Sequence, residues 1–265
     1  MTQNVKLKVA VLGFGAIGKP VLEGISEIAQ AELVGVVVRR AGSTQGVYTE
    51  LTLEEALDRA DLIVECAGGD ALKTLGPKVV AAGKNLLTVS FGQLTDENLR
   101  RVLLEDGPGN TYLSTGAIGG LDILSAATIN GGLNEARLTS RKLPKALVQN
   151  WMSEEETEKL LQTSEEVTVF SGNVTEAIKL FPASLNIAVA LAAATGLWKE
   201  TQVELVADPQ AKLTRHEVNA SGETGTYHFE IVNEPSPENP ATSGVVAKAV
   251  LRGVAALAKP SGTFV

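Results

Sequence analysis

A glycine-rich turn close to the N-terminus constrains the fold of this chain more than any other feature. The apolar segment Lys8–Leu12 runs directly into the pattern G-x-G-x-x-G, and a helical repeat of apolar residues follows. In a strand–turn–helix context the first glycine makes a tight turn, the second lets a phosphate approach the backbone, and the third lets helix and strand pack closely. The pattern therefore predicts a dinucleotide site, formed with the N–H groups at the helix start, at Gly13, Gly15, Ala16, Ile17 and Gly18. The alternative is a purely structural turn.

The composition limits the classes of function. The chain has 265 residues, 44% of them hydrophobic, a formal net charge of −8 and one cysteine, Cys66. This length permits two modest domains. The negative charge argues against nucleic-acid and anionic-membrane partners. One cysteine excludes an internal disulfide, and the two histidines add too few ligands for zinc, so no metal site is expected.

Neither a leader nor a membrane span is expected. The first ten residues, MTQNVKLKVA, lack the long apolar stretch of a signal peptide. The longest nearly unbroken apolar run, Leu185–Trp198, is too short to cross a bilayer and contains Asn186, Thr195 and Gly196. These features favour a soluble protein of a reducing compartment, the cytoplasm.

Residues 1–115 alternate between strand and helix patterns. The predicted strands are Lys8–Leu12, Ala31–Val38, Leu62–Ala67, Leu86–Ser90 and Thr111–Ser114. The predicted helices between the later strands are Leu53–Arg59, Ala71–Ala82 and Asp96–Leu104. Strands separated by helices imply right-handed parallel crossovers, so this region is expected to form a Rossmann-type, doubly wound parallel sheet that binds the dinucleotide.

The pattern changes over residues 116–238. Runs that alternate with a period of two favour an open mixed or antiparallel sheet with one covered face, in a second α+β domain for substrate binding and dimerisation. The predicted strands are Ala136–Leu143, Glu166–Phe170, Thr201–Ala207, Leu213–Ala220 and Thr226–Val232. The predicted helices are Ile123–Asn130, Ser153–Leu161, Val174–Leu180 and Leu185–Leu197.

A last helix is expected to begin at Asn239-Pro240, where asparagine would cap it and proline would occupy its first position. It continues to about Ala258, and the segment 239–265 is expected to pack back on the first domain.

The residues after the second strand bear on the choice of cofactor. An NAD enzyme usually has an acidic residue there, whereas this chain has Arg39, Arg40 and Ser43. Guanidinium groups and a hydroxyl suit a 2′-phosphate, which favours NADP over NAD. The alternative is a pair of solvated arginines at a strand end. After the third strand, the small residues Cys66, Ala67 and Gly68 let a dinucleotide lie across the strand ends, with the Cys66 thiol itself buried.

A second glycine-rich passage, Ser114–Asp122, leads from a strand to a helix. Its backbone N–H groups can face the nicotinamide or a substrate carboxylate, which makes Gly116 a candidate for substrate binding. A domain hinge explains the glycines equally well.

The chain contains two histidines, His216 and His228, on strands that are expected to form a hairpin around Ser221–Gly225. Oxidation of an amine requires a base, and histidine suits this role because its usual pKa is near neutral. A simple hairpin register allows both side chains to lie on one face, so alternation along the strands does not choose between them. The aromatic neighbours of His228 favour a structural role for that residue.

Several motifs together resemble the L-aspartate dehydrogenase family, in the order and approximate spacing of that family and over essentially the whole chain. They are Gly116–Asp122, Phe181-Pro182 with Asn186, Arg215-His216-Glu217, and Asn239-Pro240-x-Thr242-Ser243. The resemblance implies NAD(P)-dependent oxidation of L-aspartate to iminosuccinate, which gives oxaloacetate and ammonia or feeds NAD biosynthesis. It also implies a homodimer in which the second domain's sheet forms part of the interface.

The resemblance further implies roles for individual residues. His216 takes the position of the catalytic histidine, and Ala117 and Asn186 take positions that contact the nicotinamide end of the cofactor. Ala241 departs from the family pattern, in which a basic residue is commoner. The alternatives are a related NADP-dependent amino- or oxo-acid reductase and a dinucleotide-binding sensor without turnover.

A substrate with two carboxylates requires donors within this acidic chain. The expected helix start offers the N–H groups and hydroxyls of Thr242 and Ser243. Arg141, Lys142 and Lys145 are further cations, which the sequence alone assigns to solvent rather than to the substrate.

Overall fold

The computed structural model describes residues 5–182 and 185–262. The chain forms two compact units, one from the residues up to Gly116 together with those from Val246 onwards, and the other from Ala117–Val245. Within the described ranges, no helix is both long and apolar enough to cross a membrane.

The first unit contains a sheet of six parallel strands. These are β1 (Leu7–Leu12), β2 (Ala31–Val37), β3 (Glu50–Leu51), β4 (Leu62–Glu65), β5 (Asn85–Thr88) and β6 (Thr111–Leu113). Their order is β3-β2-β1-β4-β5-β6, and all five neighbouring pairs are parallel. This order is that of a doubly wound dinucleotide-binding sheet, so the predicted fold class is confirmed. Strand β3 was not predicted, because two residues carry no detectable period.

Four helices connect these strands: α1 (Gly18–Ile25), α2 (Leu53–Arg59), α3 (Gly69–Ala81) and α4 (Glu97–Leu104). Side chains next to α2 and α4 fix their starts. Thr52 and Glu55 form a reciprocal capping box at α2, and the Asp96 carboxylate accepts the N–H groups of Asn98 and Leu99 at α4. These local signals explain why the predicted bounds agree closely with the observed ones.

The last helix, α9, covers Val245–Ala258. Its Val250 and Val254 are fully buried in the same apolar cluster as Val9 and Leu87, so the helix packs on the first unit. The predicted start at Asn239 is wrong. Instead, β12 (Pro235–Ser236) and β13 (Asn239–Ser243) form a small antiparallel hairpin. Residues 237–238 form its turn, and Asn239 opens β13 in the extended backbone that a residue before proline favours. The Gly244 N–H closes this hairpin by donating to the Glu234 carbonyl over 2.9 Å.

The second unit contains a five-stranded mixed sheet. Its strands are β7 (Glu135–Lys142), β8 (Val167–Asn173), β9 (Gln202–Ala207), β10 (Thr214–Gly222) and β11 (Gly225–Asn233), in the order β11-β10-β7-β9-β8. Only the pair β7–β9 is parallel. The helices of this unit are α5 (Leu121–Ala127), α6 (Glu154–Leu161), α7 (Val174–Leu180) and α8 (Asn186–Thr195). The predicted second α+β domain with a mixed sheet is confirmed.

Alternation along the central strands gives this sheet two different faces. On β10, His216, Val218 and Ala220 are buried, whereas the residues between them are half-exposed. We name the side of His216 the covered face and the opposite side the outer face. Helix α8 is almost entirely apolar and packs on β7. The covered face is therefore the interior of the unit, where a polar side chain requires a partner.

Candidate active site

The turn between β1 and α1 is built from backbone. A Cβ atom on Gly13 would lie 2.8 Å from Ala67 Cα, and one on Gly18 would collide with the Gly13 carbonyl oxygen. A Cβ atom on Gly15 would meet no protein atom within 4 Å. Protein packing therefore requires the first and third glycines, while the space beside the second is open. This fits a pyrophosphate next to Gly15, Ala16 and Ile17, just before α1.

A buried carboxylate holds the loop after β4. Glu65 Oε1 accepts the N–H groups of Ala67 and Gly68 at 2.7 and 2.8 Å, and the Ser90 hydroxyl at 3.0 Å. Its Oε2 accepts the Thr88 hydroxyl at 2.6 Å. Burial raises the pKa of Glu65, and these four hydrogen bonds oppose that shift. Sequence reasoning missed Glu65, because a carboxylate inside an apolar strand has no motif of its own.

Cys66 contributes backbone rather than its thiol to this loop. Its side chain belongs to the apolar core of the first unit. Burial, together with the neighbouring Glu65 carboxylate, raises the pKa of the Cys66 thiol. A protonated, buried thiol is unreactive, so the sequence interpretation of Cys66 as a structural residue agrees with its surroundings.

The loop after β2 presents two cations. Arg39 and Arg40 are exposed, and neither forms an ion pair within the part of the chain that the structure describes. Glu50 on β3 holds the loop by accepting the N–H groups of Gly42 and Thr44 at 2.7 and 2.8 Å. These bonds lower the pKa of Glu50. The Ser43 hydroxyl donates to the Arg40 carbonyl, so Ser43 shapes the loop and its proton is not directed at a phosphate.

The second glycine-rich passage lies along β11. The side-chain amide of Asn233 donates to the Ala117 carbonyl over 2.8 Å. Further along, Gly120 has φ +77°, and a Cβ atom there would lie 2.6 Å from the Phe229 ring. Asn233 and Phe229 lie on the covered face, because they pair with Thr214 and Val218. The passage therefore crosses the same face that carries His216. Gly116, at φ +61°, belongs to the first unit.

His216 is the buried polar group at the centre of the covered face. It is 3% exposed, and its Nδ1 lies 2.8 Å from the hydroxyl oxygen of Ser140, its cross-strand partner on β7. Burial lowers the pKa of His216 to about 3, and the nearby positive charge of Lys142 adds to the effect. The imidazole is thus neutral at neutral pH and carries one lone pair, as a proton acceptor must.

His228 lies on the other side of the sheet. The hairpin register pairs His216 with Ile231 and His228 with Asn219, so the two histidines fall on opposite faces. His228 is exposed, and its Nδ1 lies 2.8 Å from Asn219 Oδ1. A register with both on one face, which the sequence left open, is not the one formed, because directly paired residues here are one odd and one even in number. The register therefore distinguishes the two histidines.

The remaining predicted site residues lie in two places. Asn186 is the first residue of α8, which packs on the strand that carries Ser140. Thr242 and Ser243 lie in β13, where Ser243 pairs with Pro235 and the Asn239 side-chain amide donates to Thr242 Oγ1 over 3.3 Å. The predicted helix start at these residues is wrong, and the helix N–H donors expected of it are not formed there.

Comparison with known proteins decides the family. The model "Aspartate dehydrogenase, C-terminal" matches residues 122–257. The L-aspartate dehydrogenase of Pseudomonas aeruginosa is 35% identical, over 94% of this chain and 96% of that protein, and that of Methanosarcina mazei is 30% identical over 96% and 98%. The chain belongs to the L-aspartate dehydrogenase family. The predicted resemblance is confirmed.

Solved structures agree with this family. The crystal structure of aspartate dehydrogenase from Thermotoga maritima matches with a TM-score of 0.76 and 27% identity, over 95% of this chain and 96% of that one. A second family model, "Homoserine dehydrogenase, NAD binding domain", matches residues 13–110. A hyperthermophilic archaeal homoserine dehydrogenase in complex with NADPH matches with a TM-score of 0.60 and 10% identity, over 98% and 100%, which is a likeness of fold alone. The two family models thus match separate parts of the chain, residues 13–110 and 122–257.

Proposed function

We propose that this chain is an NAD(P)-dependent L-aspartate dehydrogenase. It transfers a hydride from L-aspartate to the oxidised cofactor and yields iminosuccinate, which hydrolyses to oxaloacetate and ammonia or enters NAD biosynthesis. The observation that carries the proposal is the buried pair of His216 and Ser140, in the region that matches the aspartate dehydrogenase model. Neither residue is needed merely to bind a dinucleotide.

Amine oxidation requires a proton acceptor as well as a hydride acceptor. The nicotinamide ring supplies the second. We assign the first to His216, which accepts the amine proton at Nε2 when Nδ1–H donates to Ser140. Its low pKa, about 3, keeps the lone pair available but makes the imidazole a weak base. The two carboxylates of the substrate beside His216 raise that pKa again, because negative charge favours the imidazolium.

We infer a preference for NADP over NAD. Arg39 and Arg40 are exposed at the end of β2, where an acidic residue holds the ribose hydroxyls in NAD enzymes. Glu50 is the nearby acid, but its two oxygens accept N–H groups of its own loop. The loop thus offers positive charge to a 2′-phosphate, while the oxygens of Glu50 are engaged within the loop rather than free to bind the ribose hydroxyls.

A homodimer in the cytoplasm completes the proposal. Support for the dimer comes from the outer face of the second sheet, where charged pairs such as Arg141 with Glu217 lie near the half-exposed Val232. Introducing a buried charge by Val232→Asp should then give a monomer in light scattering. A variant that stays dimeric contradicts the use of this face. The buried Cys66 thiol is compatible with a reducing compartment.

The test of the activity is a substrate panel run with both cofactors. Absorbance of the reduced nicotinamide is followed on mixing the enzyme with NADP or NAD and with L-aspartate, L-glutamate, L-alanine or L-homoserine. Reduction that is fastest with L-aspartate supports the proposal. A faster reaction with another compound identifies a related dehydrogenase, and cofactor binding without reduction of any kind identifies a sensor. Either of these two results overturns the assignment.

A further inference from the structure

Lys142 is the last residue of β7 and lies on the covered face. Ser140, two positions earlier, is the cross-strand partner of His216, and side chains two apart along a strand point to the same side. Two residues of a strand span roughly 7 Å, which brings a lysine side chain within reach of the imidazole region. The influence of Lys142 on the pKa of His216 reflects this proximity.

The neighbouring cations have other roles. Arg141 lies on the outer face, where it contacts Glu217 at 2.6 Å and Glu166 at 3.5 Å. Lys145 is exposed on a short 3-10 helix after β7. Lys142 is half-buried and forms no ion pair with any residue in the described ranges. Of these three cations, it is the one that faces His216 without a compensating carboxylate.

A half-buried ammonium without a carboxylate is costly, because burial favours the neutral amine. Burial accordingly lowers the pKa of Lys142 to about 8, so that most of it remains charged at pH 7. In a chain with a net charge of −8, a local cation is also what attracts the carboxylates of a dicarboxylic amino acid. Asn233, which anchors Ala117, lies at the same end of the covered face, because it pairs with Thr214 two residues before His216.

We propose that Lys142 binds a carboxylate of the amino acid substrate, next to the imidazole of His216. The assignment rests on the proposed dehydrogenase function and extends it by naming the cation that recognises the substrate. It replaces the predicted helix start at Thr242 and Ser243 as the main source of positive charge in the second unit.

The test compares Lys142→Met and Lys142→Arg with the matched control Lys145→Met, which removes the same charge from an exposed position. In Lys142→Met, KM for L-aspartate should rise about 10- to 100-fold, the effect of losing one charged hydrogen bond, while kcat changes much less. Lys142→Arg keeps the charge and should recover part of the loss, and Lys145→Met should behave as the wild type. Unchanged NADPH binding and an unchanged circular dichroism spectrum verify that each variant is folded.

Two kinetic results overturn the proposal. One is a KM for L-aspartate in Lys142→Met that stays within about twofold of the wild type, well below the expected effect. The other is an equal loss of kcat in the methionine and arginine variants with KM unchanged, which identifies Lys142 as a proton carrier instead. A competing ligand separates the two carboxylates of aspartate: weaker binding of L-2-aminobutyrate in Lys142→Met indicates the α-carboxylate, and unchanged binding indicates the side-chain carboxylate.

Succinate binding to the NADPH-loaded enzyme, measured by calorimetry, separates this proposal from the proposed function. If the wild type does not oxidise L-aspartate, the function is wrong, but weaker succinate binding in Lys142→Met than in Lys145→Met still supports a carboxylate site at Lys142. Equal binding in these two variants, or no binding of succinate to the wild type, overturns the site whatever the activity.

Discussion

The two units of this protein build their sites from different materials. In the first, the turn at Gly13, Gly15 and Gly18 and the loop held by Glu65 present backbone, and the absence of side chains makes the space for a ligand. In the second, the proposed site consists of the side chains of His216, Ser140 and Lys142, which strand register places on one face. Adding a Cβ atom at these glycines should therefore impair the stability or cofactor binding of the first unit. In the second unit, catalysis should instead be sensitive to the replacement of a side-chain functional group.

Replacing the two histidines one at a time is the strongest test of whether the second unit depends on a side-chain functional group. His216→Asn should lower kcat by about 10²–10⁴-fold, because it removes the proton acceptor while leaving the dinucleotide loop intact. His228→Asn is the matched control, since the same change falls on the exposed outer face. Steady-state kinetics with L-aspartate and equilibrium binding of NADPH provide the measurement. Wild-type turnover in His216→Asn, or equal losses in both variants, would falsify the assignment of the base.

Charge reversal at Arg39 and Arg40 tests side chains of the first unit rather than its backbone. The double variant Arg39→Glu, Arg40→Glu should lower kcat/KM for NADP by about 100-fold, since it replaces charge-assisted bonds to the 2′-phosphate with repulsion. The effect on NAD should be much smaller. Lys73→Glu, Lys78→Glu makes the same change of net charge on the exposed surface of α3 and serves as the control. Similar losses with NADP and NAD would mean that the arginines do not select the cofactor.

Two glycine-to-alanine substitutions separate folding from binding in the first unit. Gly18→Ala places a Cβ atom against the Gly13 carbonyl and should lower the free energy of unfolding by about 1–3 kcal/mol, as overpacking does. Gly15→Ala meets no protein atom, so it should leave stability nearly unchanged and weaken NADPH binding instead. Urea unfolding and fluorescence titration measure the two quantities. If Gly15→Ala binds NADPH as the wild type does, the open space beside Gly15 is not the pyrophosphate site.

The same difference between the units explains which structural features could be predicted from the sequence. Glycine turns and capped helices depend on residues adjacent along the chain, so the turn between β1 and α1 and the bounds of α2 were predicted correctly. The dinucleotide site at that turn stays a prediction. The bond between Ser140 and His216 joins residues 76 positions apart, and that between Asn233 and Ala117 joins residues 116 apart. Such contacts depend on strand order and register, which no local pattern encodes.

The error at Asn239 has a related cause. The extended backbone that precedes a proline fits both a helix cap and a strand, and the pairing of β13 with β12 selected the strand. Glu65 shows a further limit, since its value to the fold lies in four donors that come from two separate strand ends. Family motifs identified His216, but the sequence could not show which cation shares its face.

The smallest expected effect concerns stability, and it compares the two faces of the second sheet. Because burial holds the pKa of His216 at about 3, the unfolded chain takes up a proton at this residue below about pH 6.5 and the folded chain does not. The free energy of unfolding should therefore fall by about 2 kcal/mol more in the wild type than in His216→Asn between pH 7 and pH 5. Denaturant titrations of both proteins at the two pH values measure this difference. Groups that titrate alike in both proteins contribute equally and cancel when the two changes are subtracted. His228→Asn should keep the pH dependence of the wild type. If His228→Asn also loses this pH-dependent change of about 2 kcal/mol, the buried His216 is not the histidine that stays neutral in the folded protein.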